Sequence, residues 1–466
     1  MKNFSLREHV PSVLVATLSS MFGVSLLLVT GALNVLISAD STTGDSATVA
    51  VLLGIVAWVF ISISVYVGAV VTSNTFSTII AGRTRTIALL RLIGASAADQ
   101  RRAVAREGFI VGAIGAILGT LLGTGLVAGL FTALVEIGVI EPAAFRFIDP
   151  VVILPIVAVV LTTWLASWIG SRRVLTVSPM QATGAALEQS LEESTSRTAR
   201  NVVAISLFVV GIGILLLGVA VGLISPIGVL VGMVGGLLSF TGLVLGAHLV
   251  MPPALKLVGR LFGSSASARL ASENAVRYPE RSSRTTIGLV IGVTLVTMFA
   301  VAIASYQSII LQAQEADPEY YAGIETMLTV TTIVFSVLTG FSGLIAAVGM
   351  VNNLSLSVLQ RTRELGLLRA LGFTSAQVRR MILAESAQLT AASVLVGLVL
   401  GIFYGWAGAQ SLLGAINGSP GLIVPTLPLV VIGVIVVAAA ALTLAASTAP
   451  ARRATRVAPV VALAVD

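Results

Sequence analysis

Ten stretches of the chain are apolar over about 20 residues or more: roughly 12–38, 47–76, 108–135, 151–170, 201–223, 226–250, 285–308, 326–353, 382–408 and 424–447. A helix rises about 1.5 Å per residue, so each stretch is long enough to cross the hydrocarbon core of a bilayer. The expected fold is therefore all-α, a polytopic transmembrane helical bundle of about ten spans. Composition agrees: 56% of the 466 residues are hydrophobic and 10% are charged, which leaves an outer surface suited to lipid rather than water. The first stretch follows Lys2 and Arg7, as a secretory signal does, but its length and the want of a cleavage site make it a span.

Charge placement sets the orientation. With both termini in the cytoplasm, the inner segments hold 26 of the 27 Lys and Arg residues, and Arg146 falls outside. Adding or removing one span destroys that asymmetry, so the positive-inside rule supports the count and the direction together. Acidic residues take the other side: Asp40, Asp45, Glu136, Glu141, Asp149, Glu315, Asp317, Glu319 and Glu325 lie in short outer loops. No large extracytoplasmic domain is expected. The net charge of +7 then reflects membrane topology, and no nucleic-acid partner is expected. The absence of cysteine excludes disulfides and thiolate metal sites, and the two histidines, His9 and His248, are too few for a transition-metal centre. Neither a metal site nor a catalytic residue is expected.

Two strings repeat. RTRTIALLRLIGASAADQRR, Arg83 to Arg102, aligns without a gap to RTRELGLLRALGFTSAQVRR, Arg361 to Arg380, at an offset of 278 and with ten identities in 20 positions. The match extends to Asn74 and Asn352, Glu107 and Glu385, Gly119 and Gly397, and Gly123 and Gly401. Ser171 to Pro179 answers Ala451 to Pro459 at an offset of 280. Each half is thus a four-span unit of one design, inserted in the same orientation. The expected divisions are 1–182 for the first unit, 183–200 for a solvated cytoplasmic linker, 201–252 for two extra spans, and 253–466 for the second unit.

The repeated string has a readable grammar. On a helix, Leu365, Leu367, Leu368 and Leu371 gather into one apolar arc, with Arg363 and Arg369 away from it. Gly372 ends that helix, and Thr374 with Gln377 forms a capping box that opens the next. Gly94, Ser96 and Asp99 occupy the same places in the first copy. Each unit is therefore expected to project a helix, a sharp turn and a second helix into the cytoplasm, at 83–102 and 361–380. Arginines at span ends satisfy the positive-inside rule by themselves, but neither the turn chemistry nor the duplication follows from that. A docking element for a cytoplasmic partner accounts for all three. Its expected residues are Arg83, Arg85, Arg91, Gly94, Ser96 and Asp99, and in the second copy Arg361, Arg363, Glu364, Gly366, Arg369, Gly372, Thr374 and Gln377. Glu364 lies in the apolar arc, where Arg361, one turn earlier, is its expected partner. Thr86 takes that place in the first copy, so the two elements are not equivalent.

At these residues the chain resembles the FtsX-like, or MacB-like, permeases of ABC transporters. Their run of Arg, two residues, Glu, an apolar residue, Gly, two apolar residues, a basic residue, Ala, an apolar residue and Gly is matched from Arg361 and Glu364 through Gly366 and Arg369 to Gly372. The first copy keeps Arg83, Arg91 and Gly94 but has Thr86 for the acid, Ala88 for the first glycine and Leu92 for the alanine. ENAVRYPERSSRTT from Glu273 and the closing ARRATRVAPVVAL are similar to family segments as well. The resemblance implies a plasma-membrane permease with cytoplasmic termini, whose spans are moved by a dimer of a separate cytoplasmic ATPase. ATP and Mg would belong to that partner. A phosphate-cradling loop needs Gly-x-x-x-x-Gly-Lys-Ser/Thr, and neither of the two lysines, Lys2 and Lys256, has that context.

No Asp, Glu, Lys or Arg lies in the middle of a span, which argues against a proton- or sodium-coupled carrier. Glycines recur at a spacing of four: Gly115, Gly119 and Gly123 in the third span, Gly397, Gly401 and Gly405 in the ninth, and Gly228, Gly232 and Gly236 in the sixth. That spacing lets backbones approach closely where lipid gives no hydrophobic drive to associate. It reads as tight packing or as a seam that slides during an ATP cycle. With short outer loops, the expected activity is export or extraction of a hydrophobic or amphipathic compound by mechanical transmission. The alternative is a non-transporting transmitter acting on an extracytoplasmic hydrolase or a membrane sensor kinase.

Overall fold

The computed structural model describes residues 6–39, 93–94, 96–147, 150–171, 198–261, 266–277, 279–316, 367–415 and 421–456, with shorter runs and single positions between 54 and 89 and between 328 and 347. Ten helices are bounded within these residues: α1 (Leu6–Ala39), α2 (Ala97–Glu136), α3 (Ile153–Gly170), α4 (Thr198–Gly222), α5 (Gly228–Leu245), α6 (Ala247–Gly259), α7 (Ala266–Arg277), α8 (Pro279–Ala316), α9 (Ser375–Leu413) and α10 (Leu429–Arg456). The described positions 54–73 and 328–347 are helical too, and no strand occurs among the described residues. Six helices are long and apolar enough to cross a membrane, within α1, α2, α4, α5, α8 and α9, and two shorter apolar stretches lie in α3 and α10. The chain is a multi-pass, all-α membrane protein. Of the expected linker 183–200, residues 183–197 lie outside the described residues, as do Asn74 and Asn352, while 198–200 form the first residues of α4.

The duplication is visible in the backbone. Helix α2 begins at Ala97 and α9 at Ser375, the offset of 278 found between the strings. In the first unit α2 packs on α1 and α3; in the second α9 packs on α8 and α10. The glycines sit where the helices cross. A Cβ on Gly119 would lie 2.5 Å from Ser20 Cβ and 2.7 Å from Met21 N, and one on Gly123 would lie 2.9 Å from Met21 O; Gly115 faces Ala16. In the second unit Gly397 faces Val293 at 2.7 Å, Gly401 faces Thr294 O at 2.8 Å with Thr297 closer still, and Gly405 faces Met298 O at 2.6 Å. All six expected packing glycines therefore meet the first long apolar helix of their own unit, α1 or α8. Hydroxyls support the contacts: Ser20 Oγ donates to Ala116 O at 3.0 Å in the first unit, and Thr390 and Thr443 join α9 to α10 at 2.7 Å in the second.

The stripe read in the sixth span is corrected. Gly236 has open space beside it, whereas Gly228, Gly235 and Gly242 face the backbone of α4 at Gly222, Leu215 and Phe208. The operative spacing is seven, the repeat at which two nearly antiparallel helices return to contact. Gly211 and Gly218 on α4 answer against Ser239 and Gly232. This α4–α5 hairpin stands between the two units. Ser239 shares a 2.8 Å hydrogen bond with Tyr404 of α9, and Tyr66 of the first unit shares one of 2.8 Å with Thr241. Phe22 and Phe299, from α1 and α8, meet at 6.3 Å between ring centroids.

The expected single helix over 226–250 is corrected as well: α5 ends at Leu245 and α6 starts at Ala247. Pro252 and Pro253 lie one turn into α6 and have no N–H to give the carbonyls of His248 and Leu249; the break at Gly246 comes just before them, where Leu249 N donates to Gly246 O at 2.8 Å in a tightened turn. Helix α6 then buries Met251, Leu255 and Val258 against the second unit. Buried Gln388 of α9 fastens it, donating to Leu255 O at 2.9 Å and to Ser272 Oγ of α7 at 3.4 Å. His248 shares a 2.8 Å hydrogen bond with Asn201, tying α6 to α4.

Candidate functional site

The hairpin turns form as their residues dictate. Gly94 and Gly372 have φ of +101° and +100°, the left-handed region in which an L side chain is strained. In the second copy Phe373 N donates to Leu368 O at 3.1 Å and Gly372 N to Arg369 O at 3.1 Å, closing the last turn in a Schellman arrangement. Thr374 then opens α9: its Oγ1 accepts from Gln377 N at 3.2 Å, while Gln377 Oε1 accepts from Thr374 N at 2.8 Å. Both halves of the capping box are present. Ser96 opens α2 with one half, accepting from Asp99 N at 3.0 Å and donating to the Asp99 carboxylate at 2.6 Å. Asp99 is one carbon shorter than Gln377 and binds the cap hydroxyl rather than its backbone N–H. Thr374→Ala is expected to destabilise the first turn of α9 by about 1 kcal/mol, read as faster amide hydrogen exchange at Ala376 to Val378.

Beneath the second turn, Val378, Met381 and Ile382 form a small buried cluster with Ala271 of α7, against which Leu368 and Phe373 pack. The apolar arc is therefore divided. Leu368 faces this cluster, but Leu367 is 51% exposed and Leu371 is 70% exposed. Their counterparts 278 residues earlier, Leu89 and Ile93, are 49% and 81% exposed. Each tip thus offers two apolar side chains one helical turn apart. The apolar arc expected from the sequence did not distinguish the covered leucine from the open ones; the signal was the recurrence of an apolar residue at both positions in both copies.

Of the expected docking residues, Gly94, Ser96, Asp99, Gly372, Thr374 and Gln377 lie at exposed tips, and Arg369 is half-buried beside Leu368. Arg83, Arg85, Arg91, Arg361, Arg363, Glu364 and Gly366 lie outside the described residues. Glu107 and Glu385, paired by the repeat, both sit a few turns into the helices that leave the tips, and both are engaged with neighbours. The arrangement presents two stiff, capped tips, each mounted directly on a long helix, α2 of 40 residues and α9 of 39. Each of these helices also carries the glycine seam of its unit.

The FtsX-like permease C-terminal family matches the chain in two regions, residues 58–179 and 336–459. Over 105 residues the chain is 38% identical to the uncharacterized ABC transporter permease YknZ of Bacillus subtilis, 22% of this chain and 25% of that protein. It is 35% identical over 79 residues to the uncharacterized ABC transporter permease MJ1507 of Methanocaldococcus jannaschii, 17% of this chain and 20% of that protein. It is 33% identical over 57 residues to the ABC transporter permease YtrF of Bacillus subtilis, 12% of this chain and 13% of that protein. The aligned part spans a quarter or less of each of these relatives. The two family regions contain both hairpins and together cover more than half of the 466 residues, so this chain, with its paired capped turns on α2 and α9, belongs to the FtsX-like permease family.

Proposed function

We propose that the chain is the permease subunit of an ABC transporter, set in a plasma membrane with both termini in the cytoplasm. A dimer of a separate ATPase, which binds ATP and Mg, engages the two tips. The observation that carries this reading is the duplicated pair of exposed apolar residues, Leu89 with Ile93 and Leu367 with Leu371, on turns fixed by positive-φ glycines. Apolar side chains in such numbers at the water-facing end of a helix are stabilised by a partner's groove. Closing of the ATPase dimer moves the tips, and α2 and α9 carry the displacement along their seams with α1 and α8. The cargo proposed is a hydrophobic or amphipathic compound taken from or released to the bilayer, consistent with the short outer loops.

Purification of the full chain from its native membrane is expected to bring down an ABC ATPase in a ratio of two copies per chain. In nanodiscs that complex is expected to hydrolyse ATP faster than the free ATPase. Recovery of the chain with no ATPase sinks the assignment. A sensor kinase or hydrolase recovered in stoichiometric amount, with no ATP-dependent movement of any lipid-soluble substrate, moves it to the transmitter reading.

A further inference from the structure

The two units differ at the hairpin end of their second crossing. In the first, the Arg101 guanidinium carbon lies over the Trp168 ring, 3.9 Å from its centroid, so a cation on α2 is held against an indole of α3. Ser167 meets the backbone of α2 at Gly108, which draws the two helices close enough for that stacking. Arg101 Nε is shielded from solvent and has no hydrogen-bond acceptor. Beside it Arg102 is 84% exposed and lies 4.0 Å from the Asp99 carboxylate, itself 69% exposed, and Arg106 is exposed one turn further along α2. The same face continues into apolar side chains open to the surroundings: Phe109 on α2 and Leu165 on α3.

Along α2 the cations Arg101, with its indole, Arg102 and Arg106 precede Phe109, an order that matches a phospholipid read from headgroup to acyl chain. We propose that the hairpin end of the α2–α3 crossing is a binding site for an anionic phospholipid, its phosphate taken by Arg101, Arg102 and Arg106 and its acyl chain lying along Phe109. A guanidinium supplies two parallel donors to phosphate oxygens; the indole fixes that of Arg101 beforehand, which reduces the entropy lost on binding. The site belongs to the first unit alone. At the offset of 278 the second unit keeps Arg379 and Arg380, but Ala384 stands for Arg106 and Ala387 for Phe109. At the offset of 280, Thr448 stands for Trp168. The lipid would lie on the outer face of the α2–α3 crossing and make the two units respond unequally to equal displacement of their tips.

Native mass spectrometry of the full chain in detergent, titrated with phosphatidylglycerol or phosphatidylcholine of the same acyl chains, tests this. One tightly retained phosphatidylglycerol is expected for the unaltered chain and for Arg379→Gln/Arg380→Gln. Affinity is expected to fall about fivefold for each arginine removed in Arg101→Gln and in Arg102→Gln/Arg106→Gln. Trp168→Leu should weaken retention and Trp168→Phe should restore it; should the leucine variant fail to fold, the exposed Arg102 and Arg106 pair still decides. Equal retention across the arginine variants overturns the site. So does phosphatidylcholine held as tightly as phosphatidylglycerol, which would leave only an apolar surface. Loss of a co-purified ATPase in Arg102→Gln/Arg106→Gln with lipid retention unchanged would overturn it too, assigning these cations to the protein partner.

Discussion

Gly401→Leu is expected to abolish ATP-coupled activity and to lower the yield of folded protein severely, while Gly408→Leu, seven residues along the same helix, leaves both near normal. Position 401 already meets Thr294 O within 2.8 Å of a single added carbon, and Thr297 closer, whereas Gly408 has nothing within 4 Å. Gly401→Ala alone forces α8 and α9 apart at a cost of about 1–3 kcal/mol; leucine adds three further carbons to the same gap. Gly119→Ala carries the matching penalty in the first unit, because its Cβ would strike α1 backbone at Met21 N, 2.7 Å away, and Thr17 O, atoms that cannot rotate aside. The open positions run the other way. Gly125→Ala and Gly408→Ala are expected to be neutral or to stabilise by up to about 1 kcal/mol through helix propensity. Denaturant unfolding in detergent, followed by tryptophan fluorescence, orders the four alanine variants. Intact coupling in Gly401→Leu would exclude both close packing and sliding at that crossing.

The second large effect concerns the partner. Ile93→Gln/Leu371→Gln is expected to weaken ATPase binding about a thousandfold, with membrane insertion and unfolding midpoint unchanged. A buried apolar anchor at a protein interface is worth about 2 kcal/mol or more, roughly 30-fold in affinity for each tip. The tips sit on separate helices, so their losses add. In the free chain the substituted atoms are 81% and 70% exposed, and surface changes of this kind shift stability by about 0.5 kcal/mol at most. Glutamine leaves the charge of each tip unaltered, so the change reads out apolar contact rather than electrostatics. ATPase affinity is measured by biolayer interferometry on chain held in nanodiscs. An unchanged affinity would remove the tips from the interface.

The additional hairpin gives these two effects a common setting. The α4–α5 pair bonds to Tyr404 on one side and to Tyr66 on the other, so α9 and the first unit are joined through this hairpin by hydrogen bonds as well as by packing. Helices α6 and α7 complete the route on the hairpin side, since Gln388 links α9 to both and His248 links α6 to α4. The second tip is therefore braced by a segment of its own chain, with Ala271 of α7 against Val378 and Met381.

The helical class, the duplication, the turn positions and the capping residues were all determined by the sequence alone. Each depends on neighbours a few residues apart: an apolar run long enough for a bilayer, a glycine where φ must be positive, a threonine three residues before a glutamine. The six seam glycines were legible for the same reason, because a spacing of four places them on one helical face whatever that face meets. Which glycines of α5 touch α4 was decided only by tertiary structure, since Gly232 and Gly236 are equivalent in sequence while just one of them faces a neighbouring helix. The fates of Leu368 and Leu371 were decided in the same way, by whether α7 covers them. Burial depends on which segment arrives from elsewhere in the chain, and local periodicity carries no record of that arrival.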